Sequence, residues 1–300
     1  MTTLASEAKG VFEPPRAGYA RTVSKRGQAG SPLFHAFPSN VSVSRPSFYG
    51  FRQHYAGAGV LGQPINPPGL TRYPVMGGNW ALKLSTPDLP ESQIPANQRQ
   101  FAVYKNLSRY FTKTEVRLIS YSGYFAVMPG REAPGANWAL GIDSQTWGNT
   151  ERSFFKVECR YPGGSAAQWY LVNNAGEAIQ ILPANVSKRH TAGINQNKAN
   201  FNYVEFTVKL NANNERGQYY SLQVNDLFFD LTNVETWADP SQSGQQTPQG
   251  SESDPGTSAA HMLNFDGGLN FGIFGSAPSA AGSHPFRLIC ADLMATIFDV

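Results

Sequence analysis

Residues 203–210 read Tyr-Val-Glu-Phe-Thr-Val-Lys-Leu, so Val204, Phe206, Val208 and Leu210 project one way and Tyr203, Glu205, Thr207 and Lys209 the other. Only an extended chain, whose side chains alternate with a period of two, sorts this segment into an apolar and a polar face. The pattern predicts a strand with one face on a core and the other in water. Similar alternation, enriched in β-branched and aromatic residues, predicts strands over 80–85, 101–107, 115–128, 138–143, 154–161, 168–172, 178–182, 219–224, 227–231, 263–274 and 286–298. No stretch carries the apolar stripe of a helix.

The turns agree. Asn225-Asp226 between two strand patterns predicts a tight hairpin, and Pro162-Gly163-Gly164 and Asn173-Asn174 break the middle of the chain. Short strands separated by such turns predict an all-β domain, a two-sheet antiparallel β-sandwich or jelly roll, over residues 78–300. Within it, residues 238–260 are polar and of low complexity, and read as a long exposed loop.

Residues 1–77 differ. Pro14-Pro15, Pro32, Pro38, Pro46, Pro64, Pro67-Pro68 and Pro74 recur too often for a helix; each removes a backbone donor and pushes its predecessor toward extended conformations. Phe34, Phe37, Phe48, Phe51 and Tyr55 lie between them, whereas disordered tails are poor in aromatics. The expectation is a long extended N-terminal arm that lies along a surface with these rings as pegs. Residues 1–72 hold eight bases against Glu7 and Glu13, about +6, while the whole chain carries +3. A basic arm on a mildly acidic body suits an acidic docking surface, with Arg16, Arg21, Arg45 and Arg52 as its contacts. The bases never cluster, which argues against nucleic acid.

Cys159 and Cys290 both fall inside strand patterns and read as buried free thiols. The start of the chain lacks the apolar core of a signal peptide, and no apolar run is long enough to span a bilayer. The expectation is a protein made in a cytoplasm, with no membrane partner.

The strand order over about residues 78–299 resembles the concanavalin A-like lectin/glucanase jelly-roll superfamily, in a bacterial and phage-type branch. The residues that carry the resemblance are Gly78-Asn-Trp-Ala-Leu-Lys-Leu84, the 116–128 strand with Tyr124-Phe-Ala-Val127, and Ala139-Leu-Gly-Ile-Asp143. Asn202-Tyr-Val-Glu-Phe-Thr-Val-Lys-Leu210 follows, then Gly217-Gln-Tyr-Tyr-Ser-Leu-Gln-Val-Asn-Asp226 and Phe228-Phe-Asp-Leu231. Two departures matter. The Glu-x-Asp-x-x-Glu strand of laminarinase-type relatives is missing, and so is the dense Asp/Asn/Glu/His cluster with which legume lectins hold calcium and manganese. A shared fold without the site does not transfer the activity.

Candidate chemistry is sparse. Asp143, Glu151, Glu158 and Glu205 lie on or beside strands, and a glycosidase needs two carboxylates roughly 5–10 Å apart; each also reads as a solvent-facing strand carboxylate. His35, His54, His190, His261 and His284 have no metal-ligand spacing, and Asn225-Asp226 and Asp266 read as turn formers rather than calcium ligands. Gly57-x-Gly59-x-x-Gly62 is followed by Gln63-Pro64 where a phosphate-binding helix would have to begin. Neither catalytic residue, cofactor nor metal is expected. Trp147, Trp169, Tyr170 and Trp237 are the candidate rings for stacking on sugar, with core packing as the alternative, and Trp80 and Trp138 read as core.

Two function classes follow. The first is a non-enzymatic structural protein of an assembled particle, a bacteriophage virion decoration or cement protein of capsid or tail. Its arm would dock on neighbouring virion subunits or on further copies of itself. The alternative is a carbohydrate-binding module with a glycan partner and, behind it, a glycoside hydrolase.

Overall fold

The computed structural model describes residues 6–8, 30–38, 49–53, 69–71, 81–86, 100–107, 116–127, 135–145, 152–161, 168–172, 178–181, 194–195, 198–199, 201–213, 216–225, 227–232, 269–277 and 286–298. Every regular element among them is a strand. In the N-terminal part these are β1 (Ser6–Ala8), β2 (Ser31–Ala36), β3 (Phe51–Gln53) and β4 (Gly69–Thr71). The next are β5 (Ala81–Ser85), β6 (Gln100–Asn106), β7 (Arg117–Val127), β8 (Asn137–Gln145), β9 (Arg152–Arg160), β10 (Gln168–Val172) and β11 (Ala178–Gln180). The chain continues with β12 (Ile194–Asn195), β13 (Lys198–Ala199), β14 (Asn202–Asn213), β15 (Arg216–Val224), β16 (Leu227–Asp230), β17 (Leu269–Ser276) and β18 (Arg287–Phe298).

They form two antiparallel sheets. The first runs β1-β16-β15-β14-β7-β18-β5-β4, with β2 also on β18; the second runs β11-β10-β9-β8-β17-β6-β3. A separate ribbon joins β12 to β13. This is the two-sheet sandwich that the alternation predicts, and the layers exist because each strand has one apolar face to bury. From the first sheet Tyr121, Phe125, Val204, Phe206, Val208 and Leu222 enter the core, and from the second Trp138, Leu140, Phe155, Val157, Phe271 and Ile273. Cys159 and Cys290 are buried free thiols on opposite sheets, as expected. The β15–β16 hairpin is also present: Val224 faces Leu227 across its turn, and Asn225 takes the left-handed backbone (φ 52) that a tight hairpin turn requires.

The outer face of β14 is less wet than its sequence suggests. Tyr203 and Thr207 point outward but are buried, and Tyr203 joins Ala81, Tyr124, Ile289 and Ala291 in a second apolar cluster outside the first sheet. Glu205 and Lys209 remain partly exposed.

The arm needs a larger correction. β2 pairs with β18, β3 with β6 and β4 with β5, so these segments extend the chain's own sheets. Phe37 and Phe51 are buried in the domain core and Phe34 packs against it. The Phe34 ring lies edge-on to Phe51, Tyr121 and Phe271 at 5.9, 6.1 and 5.2 Å. Lys105 Nζ sits 5.3 Å from the Phe34 ring centre and donates to the Tyr49 carbonyl, while His35 Nε2 meets Asp292 Oδ1 at 3.1 Å. Rings packed into their own domain are not free to anchor it to a neighbour, and that expectation fails for Phe37 and Phe51, which are buried, and for Phe34, which is partly buried against the core. Arg16, Arg21, Arg45, Phe48, Tyr55 and the 238–260 loop lie outside the described residues, as does the side chain of Arg52.

Candidate functional site

The outer face of the second sheet carries a set of polar and aromatic groups that register arranges in rows. Along β9, Phe155, Val157 and Cys159 face the core, which turns Lys156, Glu158 and Arg160 outward. On β10, Trp169 and Leu171 face in and Tyr170 faces out. On β17, Leu269, Phe271 and Ile273 face in, which leaves Asn270, Gly272 and Phe274 outside; on β6 the outward residues include Tyr104 and Asn106.

Register turns these positions into rows across the strands. One row runs Tyr170–Glu158–Ala139–Phe274. The next runs Lys156–Gly141–Gly272–Tyr104, and the one beyond it Asp143–Asn270–Asn106. Three strand spacings separate Tyr170 from Phe274, about 14 Å, with only a recessed carboxylate and an alanine between the rings.

The Phe274 end is a built platform. Phe274 and Tyr104 meet edge-on with centroids 5.0 Å apart. Both rings lie over Gly272, where a Cβ would come within 2.6 Å of Phe274 Cζ and 2.8 Å of Tyr104 Cε1. Glycine is what lets the rings lie down on the sheet. Phe274 keeps partial exposure, whereas Tyr104 is buried beside it.

At the other end Arg160 Cζ stands 4.4 Å from the Tyr170 ring centre, and Tyr170 Oη donates to Gln168 Oε1 at 2.5 Å. Arg160 Nη2 donates to Glu158 Oε2 at 2.8 Å, and Lys156 Nζ approaches the same oxygen at 3.9 Å. In the third row Asn106 Nδ2 donates to Asn270 Oδ1 at 2.6 Å. Asn270 is 1% exposed and its own Nδ2 has no partner.

The sequence-chosen carboxylates are not brought together. Glu158 is on the outer face of the second sheet and Glu205 on the outer face of the first, with the whole sandwich between them. Glu158 sits opposite Ala139, four residues along β8 from Asp143, so those two stand about 13 Å apart along the strand direction, beyond glycosidase spacing. Glu151 lies outside the described residues. Among the described residues no group of His, Cys, Asp and Glu could hold a metal.

Of the four rings proposed for sugar stacking, Tyr170 is on the outer face. Trp169 is corrected to core: it is fully buried, 5.4 Å and edge-on to Trp138. Trp138 is buried as expected, while Trp147 and Trp237 lie outside the described residues. Phe274 and Tyr104, which sequence reading passed over, make the platform; the only local signal was the Asn-Phe-Gly-Ile-Phe-Gly run at 270–275.

No family model matches the chain, and no curated protein matches it. Solved structures similar to it are jelly-roll proteins of the concanavalin A-like type. The carbohydrate esterase vb_24B_21 of the Shiga toxin-encoding bacteriophage phi24B is 11% identical, with a TM-score of 0.44, over 90% of this chain and 100% of that one. Alginate lyase Aly36B is 9% identical, with a TM-score of 0.42, over 84% of this chain and 97% of its own. A lectin from Bauhinia forficata is 10% identical, with a TM-score of 0.39, over 89% and 98%. The fold assignment rests on this chain's own two antiparallel sheets, and with them the chain is a two-sheet antiparallel β-sandwich.

Proposed function

We propose that this chain is a non-enzymatic glycan-binding protein whose site is the outer face of the second sheet. The observation that carries the reading is the row from Tyr170 to Phe274, two partly exposed rings with a flat stretch of sheet between them. Sugar rings offer C–H faces to aromatic rings and hydroxyls to polar groups, and binding sites commonly combine aromatic surface with a few placed polar atoms. Here Glu158 lies within the track, Arg160 lies on one side of it and Lys156 on the other, with Asp143, Asn270 and Asn106 one row beyond Lys156. The wide separation of Asp143, Glu158 and Glu205 favours binding over hydrolysis.

A place in an assembled particle such as a phage virion is compatible with this reading and would add a host glycan to its partners. The cementing role for the arm loses Phe34, Phe37 and Phe51, and what remains of it rests on Arg16, Arg21, Arg45, Arg52, Phe48 and Tyr55.

Affinity electrophoresis through gels containing neutral, uronate or sulfated polysaccharides tests the proposal. At least one polymer is expected to retard the protein, and Phe274→Ala and Tyr170→Ala are each expected to weaken that retardation about tenfold, the worth of a stacked ring. Unaltered migration in every polymer, with the protein shown folded, refutes it.

A further inference from the structure

We infer that the glycan is acidic, with a carboxylate or sulfate that meets the Lys156–Arg160 stripe of β9, which crosses the track; this rests on the glycan-binding reading above. Three alternate residues of β9 place cation, anion and cation in line on the outer face. The acid between them is sunk, since the Glu158 side chain is 6% exposed, while Lys156 and Arg160 are 28% and 40% exposed. A single carboxylate faces two cations, so the stripe carries one net positive charge and presents it outward. Asp143, the other described acid on this face, is 5% exposed and lies two rows from Glu158. An approaching polymer therefore meets ammonium and guanidinium before it meets either carboxylate.

Arg160 is also fixed before any ligand arrives. Its Nη2 bond to Glu158 sets the guanidinium plane and Tyr170 packs on one side of it. A guanidinium has five donors in a rigid fork, and the bond to Glu158 uses one of them, which leaves others to face a planar carboxylate or a sulfate in charge-assisted hydrogen bonds. Because Tyr170 is also the first ring of the track, a sugar stacked there carries its acidic group within reach of Arg160. Lys156 stands four residues from Arg160 along the same strand and offers a second, less directional contact. The cost of ordering a flexible side chain on binding is thereby reduced at Arg160.

Gels with a polyuronate, a sulfated galactan and a neutral β-glucan, run at low and at high salt, test this. The expected result is retardation by one of the two acidic polymers, weakened by salt, with little effect of the neutral one. Which acidic polymer is active distinguishes carboxylate from sulfate. Arg160→Gln and Lys156→Gln are each expected to lower the affinity for it about fivefold to tenfold, and Lys156→Arg to retain it. Because Arg160→Gln also removes the packing on Tyr170, Lys156→Gln serves as the variant that leaves that ring undisturbed. Equal, salt-insensitive retardation by the neutral polymer, or full affinity in both glutamine variants, overturns the acidic assignment while leaving glycan binding standing. Retardation by none overturns the glycan reading itself.

Discussion

The Tyr219 hydroxyl, on the first sheet, accepts a hydrogen bond from the backbone N–H of Lys156 on the second at 2.8 Å and donates to the carbonyl of the same residue at 2.9 Å. The β9–β10 pairing reaches Val157 opposite Leu171, so Lys156 lies just past it on that side. A buried tyrosine thus ties the two layers together directly beneath a residue of the proposed site. Tyr219→Phe keeps the edge-on contact with Phe155 at 5.7 Å and deletes both bonds. A loss of about 1–3 kcal/mol is expected in urea unfolding, and unchanged stability would show that water replaces the hydroxyl.

Tyr121 predicts the opposite. Its ring packs against Phe34, Phe206 and Phe271, but its hydroxyl is buried without a partner. Removing an unsatisfied buried group relieves a desolvation cost. Tyr121→Phe should therefore match or exceed the parent melting temperature, and a clear fall would mean that the hydroxyl is satisfied in solution.

Alkaline pH should weaken the fold. Burial holds the Cys290 thiol and the Tyr121 phenol well above their ordinary values of 9.0 and 10.0, with Cys290 adding to the shift of Tyr121. The folded chain keeps protons that the unfolded chain gives up, so this stability is complete below about pH 9 and falls as pH rises. Burial lowers the Lys105 ammonium from 10.5, which has the opposite sign, but that side chain is only partly buried. The urea midpoint is expected to fall between about pH 9 and 11 and to fall less in Tyr121→Phe. A midpoint that is flat in both proteins would contradict this.

Much of the body was legible because strand patterns are local. Gln168–Val172 and the β15–β16 hairpin follow from alternation and turn chemistry alone. β2 was not, because Pro32 argues against a strand. The structure accommodates it by putting β2 at a sheet edge, with the register irregular where Pro32 faces Thr296, a place where a missing N–H is tolerated. Trp169 and Tyr170 are neighbours on alternate faces, and which face is core depends on the opposite sheet. The platform was hidden for a related reason: Tyr104 and Phe274 are 170 positions apart in sequence and meet only through the β6–β17 register.

Gly217 lies against the same layer contact as Tyr219. A Cβ there would stand 2.2 Å from Phe155 Cζ, and the Phe155 ring is fixed edge-on to Tyr219. Gly217→Ala should cost about 1–3 kcal/mol by overpacking, and adding Phe155→Leu should recover part of it, a non-additivity expected of touching residues. Strict additivity would place the strain elsewhere.

Gly272→Ala acts at the platform. The new methyl must lift Phe274 and Tyr104 from the sheet. Retardation by the active polysaccharide should drop about as far as in Phe274→Ala, about tenfold, and full retention would remove the platform from the site.

Hydroxyl-radical footprinting of the protein with and without oligosaccharides cut from the active polysaccharide tests the central claim most directly. The account predicts that Tyr170 and Phe274 become protected, while Phe228, half-buried on β16 of the first sheet, oxidises at the same rate in both samples. Protection confined to the first sheet or to the connecting segments, with Tyr170 and Phe274 unchanged, would contradict it.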